Sequence, residues 1–141
     1  MGGTIVCDVT DPSAARCASQ FADALGARLG LRVVLVSVVA RVPPSDAERA
    51  LDAIARELGR DTETRVAAGD HAEALARVAA EEGADLIVVG ARPAGLGGRK
   101  LRWTLARELE AATPVPVLVA PPSTRKRSDR RLAVARDADS R

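Results

Sequence analysis

The 141-residue sequence predicts an α/β fold, a single domain built on one open parallel five-stranded sheet with helices on both faces. Three observations lead there. Short β-branched apolar runs alternate with longer stretches of helical period, giving a strand and a helix four times and then a closing strand, the pattern of a parallel sheet with right-handed crossovers. The helical stretches open on capping residues and stop at glycines. The apolar residues are almost all Ala, Val and Leu, with one Phe, one Trp and no Tyr, which makes the core aliphatic and layered.

Residues 4–10 (TIVCDVT) are short, β-branched and apolar, as a strand buried on both faces requires. Asp11 followed by Pro12 is an N-cap with proline at the first helical position. Ala14, Ala18, Phe21, Ala22, Leu25 and Leu29 then fall at helical spacing until Gly30 stops the helix. Residues 31–40 (LRVVLVSVVA) form the second strand, broken by the paired prolines of RVPP. Ser45 with Glu48 is a capping box opening a second helix, whose apolar stripe is Ala47, Ala50, Leu51, Ile54, Ala55 and Leu58.

Residues 61–68 (DTETRVAA) form the third strand, placed near an edge by their charges. Gly69 turns the chain, and Asp70 with Glu73 caps a third helix that carries Ala72, Leu75, Val78 and Ala79 and ends near Gly83. Residues 85–89 (DLIVV) are the fourth strand. A glycine-rich loop spans 90–98, a fourth helix spans 100–112 with Leu101, Leu105 and Leu109 on one face, and 115–120 closes the sheet. Ligands on such sheets bind beyond the carboxyl ends of the strands, where the winding direction switches. With the first and fourth strands as central neighbours, residues 8–10 and the 90–98 loop face one crevice.

Composition narrows the function classes. Nearly absent aromatics exclude base stacking as a binding mechanism. Two cysteines, Cys7 and Cys17, make neither a disulfide framework nor a zinc site and are expected to be free thiols. His71 is the only histidine, so a histidine-based metal site or a Ser-His-Asp triad has no material. The net charge of +2 is uneven: residues 121–141 hold seven basic side chains against three Asp, leaving residues 1–120 at −2. The expected organisation is a domain over 1–120 and a basic, disordered tail over 121–141, the tail being a solvated terminus rather than a contact to nucleic acid or membrane. The start shows no signal-peptide pattern and no apolar run reaches bilayer length, so the expected location is the cytoplasm.

The standard phosphate-binding strings are missing. A P-loop needs Lys followed by Ser or Thr after its last glycine, and the chain has none. A dinucleotide fingerprint needs three glycines directly after the first strand, where the chain has DVTDPS, so NAD is not expected. What remains is Gly90 at the end of the fourth strand and Thr104 fourteen residues later. That spacing, Asp8 at the end of the first strand, VAAGD at 66–70, ADLIVVG at 84–90 and PVPVLVA at 114–120 together resemble the universal stress protein family over about 120 residues.

The resemblance implies a Rossmann-like sheet, related to the adenine nucleotide alpha hydrolases, with strand order 3-2-1-4-5. It also implies a regulatory protein of the stress response that binds ATP, AMP or another adenine nucleotide, with Mg2+ only if ATP is bound. Carried over residue by residue, Asp8 receives the ribose or adenine side with the backbone near Cys7 and Thr10, and Val38 lines the adenine pocket. Val89 and Gly90 pass beneath the nucleotide. The amides of the loop, with Gly95, Gly97 and Gly98, hold the phosphates together with Thr104 and Leu105 at the start of the fourth helix, and Arg92 adds positive charge. The sequence departs from the family's glycine pattern at two positions: Pro93 has no amide proton to donate, and Trp103 places an indole where a bare backbone approaches phosphate.

The implied chemistry is binding, not turnover. The alternatives are a dimeric stress protein with no small ligand and a nucleotide-hydrolysing enzyme resting on Asp8. A homodimer is expected through the strand between Val115 and Val119, an apolar edge that must be covered or paired. The family resemblance implies the same pairing.

Overall fold

The computed structural model describes residues 2–39, 44–58, 62–90 and 98–121, with the side chains of residues 44 and 98–104 not among them. Five parallel strands, β1 (Thr4–Asp8), β2 (Arg32–Val39), β3 (Glu63–Ala68), β4 (Leu86–Gly90) and β5 (Val117–Ala120), form one sheet in the order β3-β2-β1-β4-β5. Four helices connect them: α1 (Pro12–Leu29), α2 (Pro44–Leu58), α3 (His71–Glu82) and α4 (Gly98–Ala112). The expected α/β class and strand order are both found.

Side chains leave a strand alternately to its two faces. Ile5, Cys7, Val33, Leu35 and Val88 pack under α1 and α2, while Val6, Val34, Val36, Ile87 and Val89 pack under α3 and α4. Every residue of β1 is buried, as the central strand of a doubly covered sheet must be. Edge strand β3 is only partly buried and carries Glu63 and Arg65, as its charge pattern predicts.

The capping chemistry follows the sequence closely. Asp11 caps α1 by accepting from the Ser13 amide, and Asp70 caps α3 by accepting from the Glu73 amide. Gly30 and Gly83 close those helices in the left-handed conformation that glycine adopts without strain. In α2 the expected box is displaced. The helix begins at Pro44, so Ser45 lies inside its first turn, because the fixed φ of proline suits the first helical position. Likewise α4 begins at Gly98, two residues before its expected start.

Several strands also start later or end earlier than their apolar runs. β1 stops at Asp8, not Thr10, because the Asp8 carboxylate draws the Thr10 amide into a turn. β5 starts at Val117, because Pro116 has no amide to give the ladder and the Thr113 hydroxyl takes the Val115 amide. β4 is shifted one residue on, from Asp85–Val89 to Leu86–Gly90, where the Asp85 carboxylate accepts from the Thr4 amide at 2.9 Å. β2 covers Arg32–Val39 within the expected run. Of the expected stripe on α1, Leu29 is 60% exposed. Gly26 already sits against Leu31 and Val33 of the returning chain, so the last turn has nothing left to pack on.

Helix α1 comes very close to β4. A Cβ placed on Gly90 would meet Ala14 Cβ at 2.6 Å and the Ala14 carbonyl oxygen at 2.9 Å. Gly90 is therefore required by packing, whatever passes above it. Gly90→Ala is expected to destabilise the fold by about 1–3 kcal/mol, since neither helix backbone nor strand can yield easily. Thermal unfolding of the variant tests this, and an unchanged melting temperature would show that α1 shifts freely.

Candidate functional site

The carboxyl ends of β1 and β2 are tied together by one carboxylate. Alternation along β1 points Asp8 toward α3 and α4, on the face opposite to Cys7. Asp8 is 7% exposed. Its Oδ1 accepts from the Thr10 amide at 3.0 Å and the Thr10 hydroxyl at 2.5 Å. That hydroxyl in turn accepts from the Val38 amide at 2.9 Å, which joins the end of β2 to the turn after β1. The other oxygen, Oδ2, lies 2.9 Å from Nε2 of His71, the first residue of α3.

His71 was not among the candidate residues. A lone histidine carries no spacing signal, and its partner lies 63 positions away in sequence. The hydrogen bond to Asp8 raises the imidazole above its ordinary pKa; burial opposes this, and the charges of Asp8, Asp70 and Glu108 add to the rise. The protonated form of His71 is thus favoured at the mouth of the crevice. Its side chain is 38% exposed, so one edge of the ring remains at the surface.

The other candidates divide into four groups. Thr10 and Val38 stand together at the ends of β1 and β2, as expected. Cys7 and Val89 are buried: the Cys7 thiol is enclosed under α1 and held well above its usual range by burial and then by Asp8, while Val89 packs under α3 and α4. Cys17 is likewise a free thiol, half-buried. Leu105 packs against the α3–α4 core. Gly98 opens α4 and Thr104 lies in its second turn. Arg92, Gly95 and Gly97, with Pro93, lie outside the described residues, as does the tail from residue 122.

Beside Thr10 the structure opens a cavity of about 550 Å3 between α1, α2 and the end of β2. Its wall includes Thr10, Ser37, Val38, Ala47, Ala50 and Ile54, with Arg16 and Glu57 at the rim. Those two side chains form an ion pair at 3.1 Å that bridges α1 and α2. Small alanine side chains on the helices leave the space open, and the lining is mainly apolar with a few hydroxyls, as small-molecule sites are. Among the described residues, no cluster of three or more His, Cys, Asp or Glu could hold a metal ion, and no helix is long and apolar enough to cross a membrane.

Comparison with known proteins gives these features a setting. No curated protein sequence matches the chain. Among solved structures, a universal stress protein in complex with cAMP is 26% identical, with a TM-score of 0.68 over 86% of this chain and 98% of that one. A universal stress protein family member from Burkholderia pseudomallei is 25% identical, with a TM-score of 0.66 over 86% and 96%. The universal stress protein from Archaeoglobus fulgidus in complex with dAMP shares the fold at 19% identity, with a TM-score of 0.58 over 85% and 98%. The profile of the universal stress protein family matches residues 40–121, more than half of the sequence. The chain belongs to the universal stress protein family.

Proposed function

We propose that this protein is a regulatory module of the stress response that binds an adenine nucleotide at the carboxyl end of its sheet and acts by binding, not turnover. The observation that carries this reading is the cavity of about 550 Å3 walled by Thr10 and Val38, at the strand ends where such sheets take ligands. A relative of 26% identity in complex with cAMP supports the same ligand class. The adenine ring enters the cavity beside Thr10 and Val38, and the anionic end runs across β1 toward Gly90 and the amino terminus of α4, where the helix dipole favours negative charge. Cys7 and Val89 then shape the floor through the backbone. ATP, AMP and cAMP share the recognised adenosine, and Mg2+ enters only with ATP.

Turnover would require Asp8 to hold a metal or activate water. Instead its oxygens are engaged by Thr10 and His71, in a structural role. We read the protein as a cytoplasmic homodimer joined through β5, where Leu118 and Val119 are 41% and 39% exposed at the sheet edge. Antiparallel pairing of two β5 edges would cover both side chains and satisfy the free ladder groups.

Two measurements test this reading. Calorimetric titration with cAMP and with AMP is expected to show saturable binding, weakened about ten-fold or more by Ala50→Phe. That variant fills the cavity from an exposed helix position and leaves the core intact. Equal affinity in both proteins, or no binding of either nucleotide, overturns the proposed site. Light scattering is expected to give a dimer that Leu118→Arg with Val119→Arg converts to monomer. A wild-type monomer at all concentrations would remove the β5 interface.

A further inference from the structure

We propose that His71 makes the crevice's affinity for a phosphate-bearing ligand proton-linked, by setting the charge that the Asp8 carboxylate presents behind Thr10. This rests on the adenine nucleotide reading above and adds its regulation. Three residues are linked in sequence from the cavity: Thr10, which lines it; Asp8, whose Oδ1 accepts from the Thr10 hydroxyl at 2.5 Å; and His71, whose Nε2 lies 2.9 Å from the second carboxylate oxygen. Asp8 is buried and shielded from solvent screening, so its charge is felt across the turn more strongly than an exposed carboxylate's would be.

With His71 protonated, Asp8 and the imidazolium form a neutral pair, and the anionic end of a ligand meets no net repulsion from it. With His71 neutral, the ring can still donate to Asp8, but the pair carries one negative charge beside the ligand. The charged groups that act on His71 are Asp8 from β1, Asp70 before α3 and Glu108 from α4, all acidic. The amino terminus of α3 disfavours a cation there, and burial opposes it too; the Asp8 hydrogen bond is the largest influence, and the net direction is upward. The direction follows. The folded-state value of His71 lies above that of the free side chain, so the imidazolium persists to higher pH than in the free side chain and is lost as pH rises through that raised value. Anion affinity is highest below it and falls above it, and an anionic ligand in turn draws a proton onto His71.

The probe is cAMP, whose diester phosphate does not titrate in this range. Calorimetry between about pH 6 and pH 9 is expected to show affinity falling roughly five-fold. The midpoint should coincide with the His71 imidazole titration followed by NMR on the ligand-free protein. His71→Gln keeps a donor for Asp8 but cannot titrate, and should bind cAMP at the weaker, high-pH level across the range. Asp8→Asn should lower the pH at which the imidazole titrates, since the largest influence raising it is removed while burial still opposes the charge. A wild-type affinity flat with pH, or the same pH dependence in His71→Gln, overturns the linkage while leaving nucleotide binding in place. No cAMP binding at either pH, with His71 still titrating high, overturns the nucleotide reading and the linkage with it.

Discussion

Asp8 is a carboxylate at the end of a strand whose every side chain is buried, and its satisfaction organises the carboxyl end of the sheet. A buried carboxylate without partners would cost several kcal/mol. Here the two residues that follow it turn back so that Thr10 supplies two donors, and the first residue of α3 supplies a third. Thr10 passes the constraint on by holding the Val38 amide. β1, β2 and α3 thus meet at one group, and the crevice wall is set by the same bonds that close the strand ends.

A second constraint is the scarcity of large side chains. With alanine the chief packing residue on α1, α3 and much of α2, helices approach the sheet closely, as Gly90 against Ala14 shows for α1 and β4. Close packing on one side leaves space on another. Between α1 and α2 the facing side chains include Ala15, Ala47, Ala50 and Ala53, too short to meet, and the cavity beside Thr10 is the result. An aliphatic, small-residue core therefore yields a tight central sheet and an open flank at once.

The fold was legible in the sequence because each βα unit carries its own punctuation. Asp11 with Pro12, Asp70 with Glu73, and the glycines at 30 and 83 mark helix ends by local chemistry, and the apolar runs between them separate by period. Boundaries slipped where a side chain took a backbone amide, as Asp8 did locally at the end of β1 and Asp85 did from a distant part of the chain at the start of β4. The site was half legible. Asp8 and Thr10 could be placed from the end of the first strand and Val38 came only with the family resemblance, whereas His71 could not be placed, since only the topology brings the start of α3 against β1. Gly90 was read for a ligand, and its glycine is accounted for by packing alone.

The amino end of the sheet explains how α3 can hold His71 to hydrogen-bond distance of Asp8. At its far end, Glu82 accepts from Arg32 at 3.0 Å and from Arg65 at 3.1 Å. Glu81 meets Arg65 at 2.7 Å, and Arg32 reaches on to Glu63. Such partly exposed pairs add little stability singly, about 0–1 kcal/mol each. As a chain running from β2 and β3 to the last turn of α3, they fix where that helix ends. Leu75, Val78 and Ala79 fix its face against the sheet between the two ends. A helix of 12 residues held by ion pairs at one end and by packing along its length has little freedom left at the other. The placement of His71 beside Asp8 thus follows from how the whole of α3 is seated on the sheet.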